Sequence, residues 1–222
     1  MQEVVLPARV IYSKTGRARY ISHLDTMRTL TRALRRSGLP LWYTQGFNPH
    51  LYLTFLLPLA LGVESLCEIV DLRLTEEMDW DTVREHISNH LPPGFEIKNA
   101  GSPKLPAKAI AWAEYQLELD FPPNEVESMM LAMKDLLESK SILVQKKTKK
   151  GEQTVDIRPH VSLMELSAAE KGFFCTLRLA AGTAVNVSPR LVLEAFGAVA
   201  HLPESVKILR TRVLDELFED FS

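Results

Sequence analysis

Four arginines in one short segment recur at a spacing that suits the binding of anions. They are Arg28, Arg32, Arg35 and Arg36. Positions i, i+4, i+7 and i+8 lie on one face of an α-helix, and the planar guanidinium fork matches the geometry of a phosphate. Three further cations stand just upstream: Lys14, Arg17 and Arg19. The pattern predicts a cationic surface that meets phosphates or an acidic protein face, with an ordinary solvated helix face as the alternative.

A second group of candidate residues lies in the stretch Thr44-Gln45-Gly46-Phe47-Asn48-Pro49-His50. Phe47 offers a ring that stacks on a nucleobase or else fills the core between a helix and a sheet. Gln45, Asn48 and His50 add hydrogen-bonding groups beside it. The stretch is therefore either the rim of a binding site or a structural turn.

Acid–base chemistry would need histidine and carboxylate side chains that converge in the fold. The weak candidates are His23 and His50 as acid or base, with Asp25 to orient the imidazole. The His, Cys, Asp and Glu residues lack the short spacing typical of a metal site, so the sequence predicts no bound metal. The common nucleotide-binding, hydrolase and zinc-protease motifs are also missing.

A third group lies in a segment predicted to be a strand over residues 154–165. Asp156 and Arg158 alternate there with Val155 and Ile157, so the two charged side chains would share one strand face. They would form an exposed ion pair or hold a ligand. The preceding turn carries a run of lysines: Lys146, Lys147, Lys149 and Lys150. Such a run is either a solvated tip or a contact with nucleic acid.

The elements that position the first two groups have a recognisable order. Alternating and helical patterns predict strands at residues 4–12, 51–57, 67–74 and from 95, and helices at 22–37 and 79–91. Ser22 and Asp25 give the first helix a capping pattern. Its predicted core stripe is Leu24, Met27, Leu30 and Leu34. The order β-α-β-β-α-β is that of a ferredoxin-like unit.

The same order recurs in the second half of the chain. Strands are predicted at residues 112–121, 173–181 and 206–214, helices at 126–137 and 189–200, and two hairpin arms at 142–147 and 154–165. The predicted fold class is α+β, with two tandem ferredoxin-like units whose sheets are antiparallel and a long β-hairpin in the second. We place the units at residues 1–103 and 109–222, with a linker at 104–108.

Charge is unevenly distributed along the chain. The first 50 residues hold eight Lys and Arg residues and two acidic ones, whereas the whole chain holds 26 and 28. This asymmetry predicts a local anionic partner. No apolar run reaches the roughly 20 residues of a membrane helix, and the start lacks the features of a signal peptide. We expect a cytoplasmic protein that contacts neither a membrane nor DNA.

Several motifs resemble those of one bacterial family. They are Tyr12-Ser13-Lys14-Thr15-Gly16, Arg19-Tyr20-Ile21-Ser22-His23-Leu24-Asp25, Ala33-Leu34-Arg35-Arg36-Ser37-Gly38-Leu39-Pro40, Tyr43-Thr44-Gln45-Gly46-Phe47-Asn48-Pro49-His50 and Leu57-Pro58-Leu59-Ala60-Leu61-Gly62-Val63-Glu64-Ser65. The family is the radical-SAM-linked (radical SAM-associated) family, a domain of unknown function. Its members are encoded beside, or fused behind, a radical SAM protein of the cobalamin-binding type. The similarity is dense over residues 12–74 and thinner at 154–159 and 209–212.

The resemblance implies a division of labour between two proteins. This chain lacks a triad of closely spaced cysteines that could hold an iron–sulfur cluster. S-adenosylmethionine, the cluster and cobalamin would therefore belong to the radical SAM partner. We expect a non-catalytic accessory or substrate-binding module that contacts RNA. The alternatives are an adaptor that docks on the partner without RNA, and an enzyme that cleaves or modifies RNA with His23 or His50.

Overall fold

The computed structural model describes residues 5–148, 151–183 and 185–221, and of residues 146–148 it describes the backbone alone. The chain divides into two compact units, one ending at Ala107 and the other beginning at Lys108. No helix of the described ranges is both long and apolar enough to cross a membrane. The fold is mixed α+β, with mainly antiparallel strand pairing and four α-helices in the described ranges.

The described part of the first unit contains four strands and two α-helices. They are β1 (Leu6–Lys14), α1 (His23–Arg36), β2 (Leu53–Phe55), β3 (Glu64–Leu74), α2 (Trp80–Ser88) and β4 (Phe95–Gly101). A 3-10 turn, Gly16–Tyr20, joins β1 to α1. The strands lie in the order β4-β1-β3-β2, and each neighbouring pair is antiparallel.

The core of the first unit forms where α1 and α2 cover one face of this sheet. Alternate residues of β1 and β3 supply the sheet side: Ala8, Val10, Tyr12, Val70, Leu72 and Leu74. Leu30 and Leu34 supply the α1 side. Ser22 caps α1, since its hydroxyl accepts a hydrogen bond from the backbone N–H of Asp25.

The prediction that Leu24 belongs to the core stripe of α1 is wrong. Leu24 is 54% exposed, because the two three-residue steps from Leu24 to Leu30 leave it about 120° away from Leu30 around the helix. The buried position of the first turn is taken by Thr26, whose hydroxyl donates to the Ser22 carbonyl oxygen at 3.0 Å. Because the local bond satisfies the hydroxyl, a threonine is tolerated where the pattern favoured leucine.

The second unit contains six strands and two helices within its described residues. They are β5 (Trp112–Asp120), α3 (Val126–Glu138), β6 (Leu143–Thr148), β7 (Gly151–Asp156), β8 (Val161–Ala169), β9 (Gly172–Ala180), α4 (Pro189–Val199) and β10 (Ser205–Leu214). Four strands lie in the order β10-β5-β9-β8 with antiparallel neighbours. Strands β6 and β7 form a separate two-stranded hairpin.

The prediction of one continuous arm over residues 154–165 is wrong. Strand β7 ends at Asp156, and Arg158–His160 forms a 3-10 turn before β8 begins at Val161. Pro159 sits in this turn and lacks the N–H that a strand ladder needs. Asp156 and Arg158 therefore do not share a strand face.

The core of the second unit is centred on β5 and β9. Leu117 and Leu119 of β5 are buried with Phe173, Leu177 and Leu179 of β9, and Cys175 lies among them. Burial raises the pKa of the Cys175 thiol to about 12. The thiol is therefore protonated at neutral pH, and Cys175 acts as a small apolar side chain.

We expect Gly172→Ala to destabilise the second unit. Gly172 has a φ of +142°, and an added Cβ would lie 1.9 Å from the carbonyl oxygen of Leu119. Removing this clash would require the β5–β9 pair to shift, so we expect a loss of unfolding free energy of about 2 kcal/mol or more. Urea unfolding measures it. Gly101→Ala is the control, because no atom of the described residues lies within 4 Å of a Cβ added there. An equal loss in both variants would contradict the clash.

Candidate functional site

The outer face of α1 carries a ridge of exposed arginines. Successive residues of a helix are turned by roughly 100°, so burial of Leu30 and Leu34 directs the opposite face to solvent. Arg28, Arg32 and Arg35 lie on that face and are exposed. We call these three residues the arginine ridge. Arg36 is also exposed, but it points to the side, where its guanidinium donates to the His90 carbonyl oxygen at 3.1 Å.

The ridge is only partly neutralised. Arg28 Nη1 lies 3.2 Å from Asp25 Oδ1, one turn earlier on the same helix. Arg32 and Arg35 form no hydrogen bond or ion pair with another residue of the described ranges. Two guanidinium forks of the ridge are thus presented to solvent with their donors available.

The cations of the turn before α1 differ in how firmly they are held. Arg17 is exposed. Arg19 donates to the Tyr20 hydroxyl at 2.5 Å and lies 3.7 Å from a Glu64 carboxylate oxygen. The hydrogen bond to Tyr20 is the main cause that raises the pKa of Arg19. The same Glu64 oxygen accepts from the Gly16 N–H at 2.7 Å, so Glu64 orders this turn and partly neutralises Arg19.

Lys14 does not belong to the cationic surface predicted from the sequence. It is 2% exposed, and its Nζ donates to the Ile21 carbonyl oxygen at 3.0 Å. Burial lowers the pKa of Lys14, while the nearby Glu68 carboxylate acts in the opposite direction. Lys14 follows the core residues Val10 and Tyr12 at two-residue spacing on β1, and its long side chain ties the turn before α1 to the sheet.

The stretch from Thr44 to His50 forms a closed hairpin loop. Thr44 N donates to the His50 carbonyl oxygen at 2.8 Å, and His50 N donates to the Thr44 hydroxyl at 3.1 Å. His50 Nδ1 lies 3.0 Å from the Thr44 hydroxyl and 3.3 Å from the Asn48 carbonyl oxygen. The bridge between Tyr43 and Leu51 continues the pairing below the loop. We call residues 44–50 the hairpin.

Phe47 is at the apex of the hairpin and is fully exposed. It therefore does not fill the core, which was one of the two roles considered for it. Gln45, Asn48 and His50 are exposed on either side. The ring is thus open to solvent, with polar side chains before and after it in the hairpin.

A stack of aromatic and guanidinium groups lies at the base of the hairpin. The Arg73 guanidinium is 5.0 Å from the Trp42 ring centroid and 4.1 Å from the Tyr52 centroid. Sequence reasoning missed this cluster. Two features of the sequence could have indicated the cluster. Trp42 and Tyr52 are equally far from Phe47 in the chain, as two residues that face each other across a hairpin must be. Arg73 directly follows a buried strand residue.

The candidate acid–base residues do not form a connected set. The His23 ring meets the Phe55 ring edge-on at 5.4 Å, and His50 bonds within the hairpin. The Asp25 carboxylate accepts from the Ser22 hydroxyl at 2.7 Å. That bond is the main cause, followed by Arg28, that lowers the pKa of Asp25. Among the described residues, no group of three or more His, Cys, Asp or Glu side chains is arranged to hold a metal ion.

Asp156 and Arg158 bind the backbone of their own unit. Asp156 Oδ1 accepts from the Ile142 N–H at 2.8 Å and from the Arg158 N–H at 2.9 Å. The Arg158 guanidinium donates to the carbonyl oxygens of Ser139 and Val161. The two side chains hold the base of the β6–β7 hairpin in place. Lys149 and Lys150, and the side chains of Lys146 and Lys147, lie outside the described residues.

The family of the chain follows from a comparison with protein-family models. A model described as an uncharacterized protein conserved in bacteria, DUF2344, matches residues 8–189. The chain belongs to this family. The match includes the arginine ridge, the hairpin, and both Asp156 and Arg158. No curated protein matches the DUF2344 chain.

Solved structures share low identity with this DUF2344 protein. A chain in the crystal structure of a Cbf5-Nop10-Gar1 complex is 12% identical with a TM-score of 0.48, over 93% of this chain and 48% of that chain. The DUF2344 protein thus spans about half the length of that chain. An unknown protein from Galdieria sulphuraria is 13% identical with a TM-score of 0.26, over 92% and 96% of the two chains. The CRISPR endoribonuclease Cse3 bound to 19 nt RNA is 13% identical with a TM-score of 0.18, over 92% and 99%.

We expect Asp156 to make the stability of the protein sensitive to acid. The hydrogen bonds from Ile142 and Arg158 are the main causes that lower the pKa of Asp156 below its usual 3.8. A carboxylate with a lowered folded-state pKa stabilises the fold above its unfolded-state pKa, and that contribution is lost as the pH falls through the folded value. Asp156→Asn keeps an accepting oxygen but cannot titrate. Wild type should therefore lose more unfolding free energy than Asp156→Asn between about pH 5 and pH 2.

Urea unfolding over that pH range checks the expectation. Asp156→Ala, which cannot accept either bond, should be destabilised at every pH. Parallel pH profiles for wild type and Asp156→Asn would show that the carboxylate contributes nothing by its charge.

Proposed function

We propose that the protein is a non-catalytic accessory module of a cytoplasmic radical SAM enzyme of the cobalamin-binding type, and that it contacts RNA through the arginine ridge. One observation supports the contact above all others. Arg32 has like-charged residues one turn away on both sides, at positions 28, 35 and 36, while among the described residues the only carboxylate paired with this set is Asp25. Like charges at this spacing destabilise a helix by a few tenths of a kcal/mol per pair.

An anionic ligand would remove this repulsion. Phosphates between the ridge arginines would accept charge-assisted hydrogen bonds. Their negative charge would also offset the repulsion between the guanidinium groups. Contacts of this kind position a backbone without selecting a sequence. They also make binding strongly dependent on salt, because each neutralised phosphate releases condensed counterions.

We further propose that each unit is a ferredoxin-like unit. The strand orders β4-β1-β3-β2 and β10-β5-β9-β8 are equivalent once the β6–β7 hairpin is treated as an insertion before β8. In each unit one helix follows the first strand and another precedes the last strand. The split β-α-β arrangement of a ferredoxin-like fold requires such a connectivity, which supports the proposal.

The proposed partner supplies the cofactors of the reaction. The link to a radical SAM enzyme is supported by the sequence resemblance over residues 12–74. Cys67 and Cys175 are the chain's two cysteines, and Cys175 is buried and protonated. S-adenosylmethionine, the iron–sulfur cluster and cobalamin are therefore assigned to the partner.

A protein contact on the same helix is the second candidate. Tyr20 is 62% exposed at the end of the turn before α1, and Leu24 is exposed in the first turn of α1. Apolar side chains beside arginines suit an acidic protein face, because interfaces combine an apolar centre with a polar rim. In this adaptor function the ridge would bind the radical SAM protein and not RNA.

We expect Arg32→Gln/Arg35→Gln to weaken RNA binding and to flatten its salt dependence. Fluorescence anisotropy of labelled cellular RNA across a salt series measures both. Loss of two phosphate contacts should lower the slope of log K against log salt by about 1.4, at roughly 0.7 for each contact to a single strand. Arg84→Gln/Lys134→Gln is the matched control, because it removes two exposed helix cations that already have carboxylate partners.

Two results would contradict RNA binding by the ridge. One is wild-type binding that does not change with salt. The other is an equal loss in the control pair, which would indicate a diffuse charge effect.

We expect the purified protein to form a complex with a cobalamin-binding-type radical SAM protein encoded beside it, and Arg32→Gln/Arg35→Gln to leave that complex intact. In the proposed function the ridge contacts RNA and not the partner protein, so removing two of its charges should not weaken the protein–protein contact. Size-exclusion chromatography of the mixed proteins, with and without ribonuclease, measures it. A complex lost in the double variant and insensitive to ribonuclease would identify the adaptor function instead.

A further inference from the structure

The hairpin presents Phe47 in a manner that suits a flat ligand. Its ring is fully exposed, so solvent reaches both faces. An exposed apolar residue on a mobile tail needs no explanation, but this one stands at the apex of a loop closed by hydrogen bonds between Thr44 and His50. Because the loop is already ordered, binding at Phe47 would cost little further conformational entropy.

The anchoring below the hairpin makes this presentation stiff. Leu51 is buried in the core of the first unit, and Arg73 lies against Trp42 and Tyr52 on the two sides of the base. The apex is therefore tied to the sheet through both of its ends. A rigid support is what a recognition residue requires in order to hold its geometry.

The surroundings of Phe47 favour a nucleobase over a protein surface. Protein hot spots are aromatic side chains within a patch that excludes water, whereas Gln45, Asn48 and His50 beside Phe47 are polar and exposed. A base needs one aromatic face for stacking and amide or imidazole groups at its edge. The hairpin has both.

We propose that the hairpin stacks Phe47 on an unpaired nucleobase, so that this protein takes single-stranded RNA and discriminates against duplex. The inference rests on the proposed contact with RNA and adds the class of RNA to it. In a duplex both faces of an interior base are stacked and its pairing edge is occupied. Phe47 would then have to displace a neighbour, whereas a single strand offers the base freely.

The experiment compares four probes with the full chain at one salt concentration. The probes are an unstructured 12-nucleotide RNA, the same RNA paired with its complement, an abasic phosphodiester of the same length, and the purified radical SAM protein. The variants are Phe47→Ala, Phe47→Trp and, as a control for an exposed apolar side chain elsewhere, Leu217→Ala. We expect Phe47→Ala to bind the single strand about 5- to 100-fold more weakly and to bind the abasic probe as wild type does. Phe47→Trp should bind the single strand as wild type does. The fluorescence of the added tryptophan should be quenched by the single strand and not by the abasic probe.

The outcomes separate this inference from the proposed function. If wild type binds single strand, duplex and abasic probe equally, or if Phe47→Ala binds the single strand as tightly as wild type, base stacking is overturned while phosphate contact by the ridge stands. If wild type binds no nucleic acid at all, both fail. If Phe47→Ala instead weakens the complex with the radical SAM protein, the hairpin is a protein contact and the inference is overturned.

Discussion

Burial of one face of α1 determines where the arginines of that helix point. Removing the Leu30 and Leu34 side chains from water contributes roughly 1.5–3 kcal/mol each, whereas a pair of charges on a helix surface contributes about 0.2–0.5 kcal/mol. The core therefore sets the rotation of the helix, and the charges follow from it. Once Leu30 and Leu34 face the sheet, Arg28, Arg32 and Arg35 have to face away from it. The like-charged ridge is kept in place by apolar packing on the other side.

The hairpin depends on the same sheet in a different way. Strand β2 pairs with β3, and within its unit it is the last strand of the order. An edge strand tolerates an insertion, because only one of its sides is committed to the ladder. The insertion keeps its own backbone paired through the Tyr43–Leu51 bridge and the Thr44–His50 bonds. The hairpin thus leaves the pairing between β2 and β3 undisturbed.

The sequence predicted most of the element order because the patterns were strong where packing is regular. The α1 periodicity and the Ser22 cap placed that helix within a residue at each end. The prediction failed at Leu24, which helix geometry turns about 120° away from Leu30, so that the hydrogen-bonded Thr26 takes the buried position. It also failed at Asp156, whose alternation resembled a strand although its carboxylate ends β7 by accepting backbone bonds. Thr26 and Asp156 both form local side-chain bonds to the backbone, which an apolar pattern does not show.

The site was predictable by residue type and less so by environment. Exposure of the ridge follows from helix geometry alone, but a sequence does not show which cations find a partner. Lys14 is close to Arg17 and Arg19 in the chain, yet its position on β1 directs its side chain inward. The cluster of Trp42, Tyr52 and Arg73 was missed because it needs two strands and a loop to bring it together.

The contrast between α1 and the strands supports the proposal that an anionic ligand binds α1. In the first unit, Arg9 of β1 stands opposite Asp71 of β3, with their side chains 2.7 Å apart. In the second unit, acidic residues of β5 stand opposite basic residues of the neighbouring strands. Glu114 pairs with Arg178 at 2.8 Å and lies 3.5 Å from Arg212 Nη1, and Glu118 pairs with Lys207 at 2.9 Å. A sheet places opposite residues about 5 Å apart, so charges of opposite sign neutralise each other within the fold. On α1 the charged residues one turn from Arg32 are Arg28, Arg35 and Arg36, and folding alone gives no reason to keep them together. The proposed anionic ligand on this face would supply the reason.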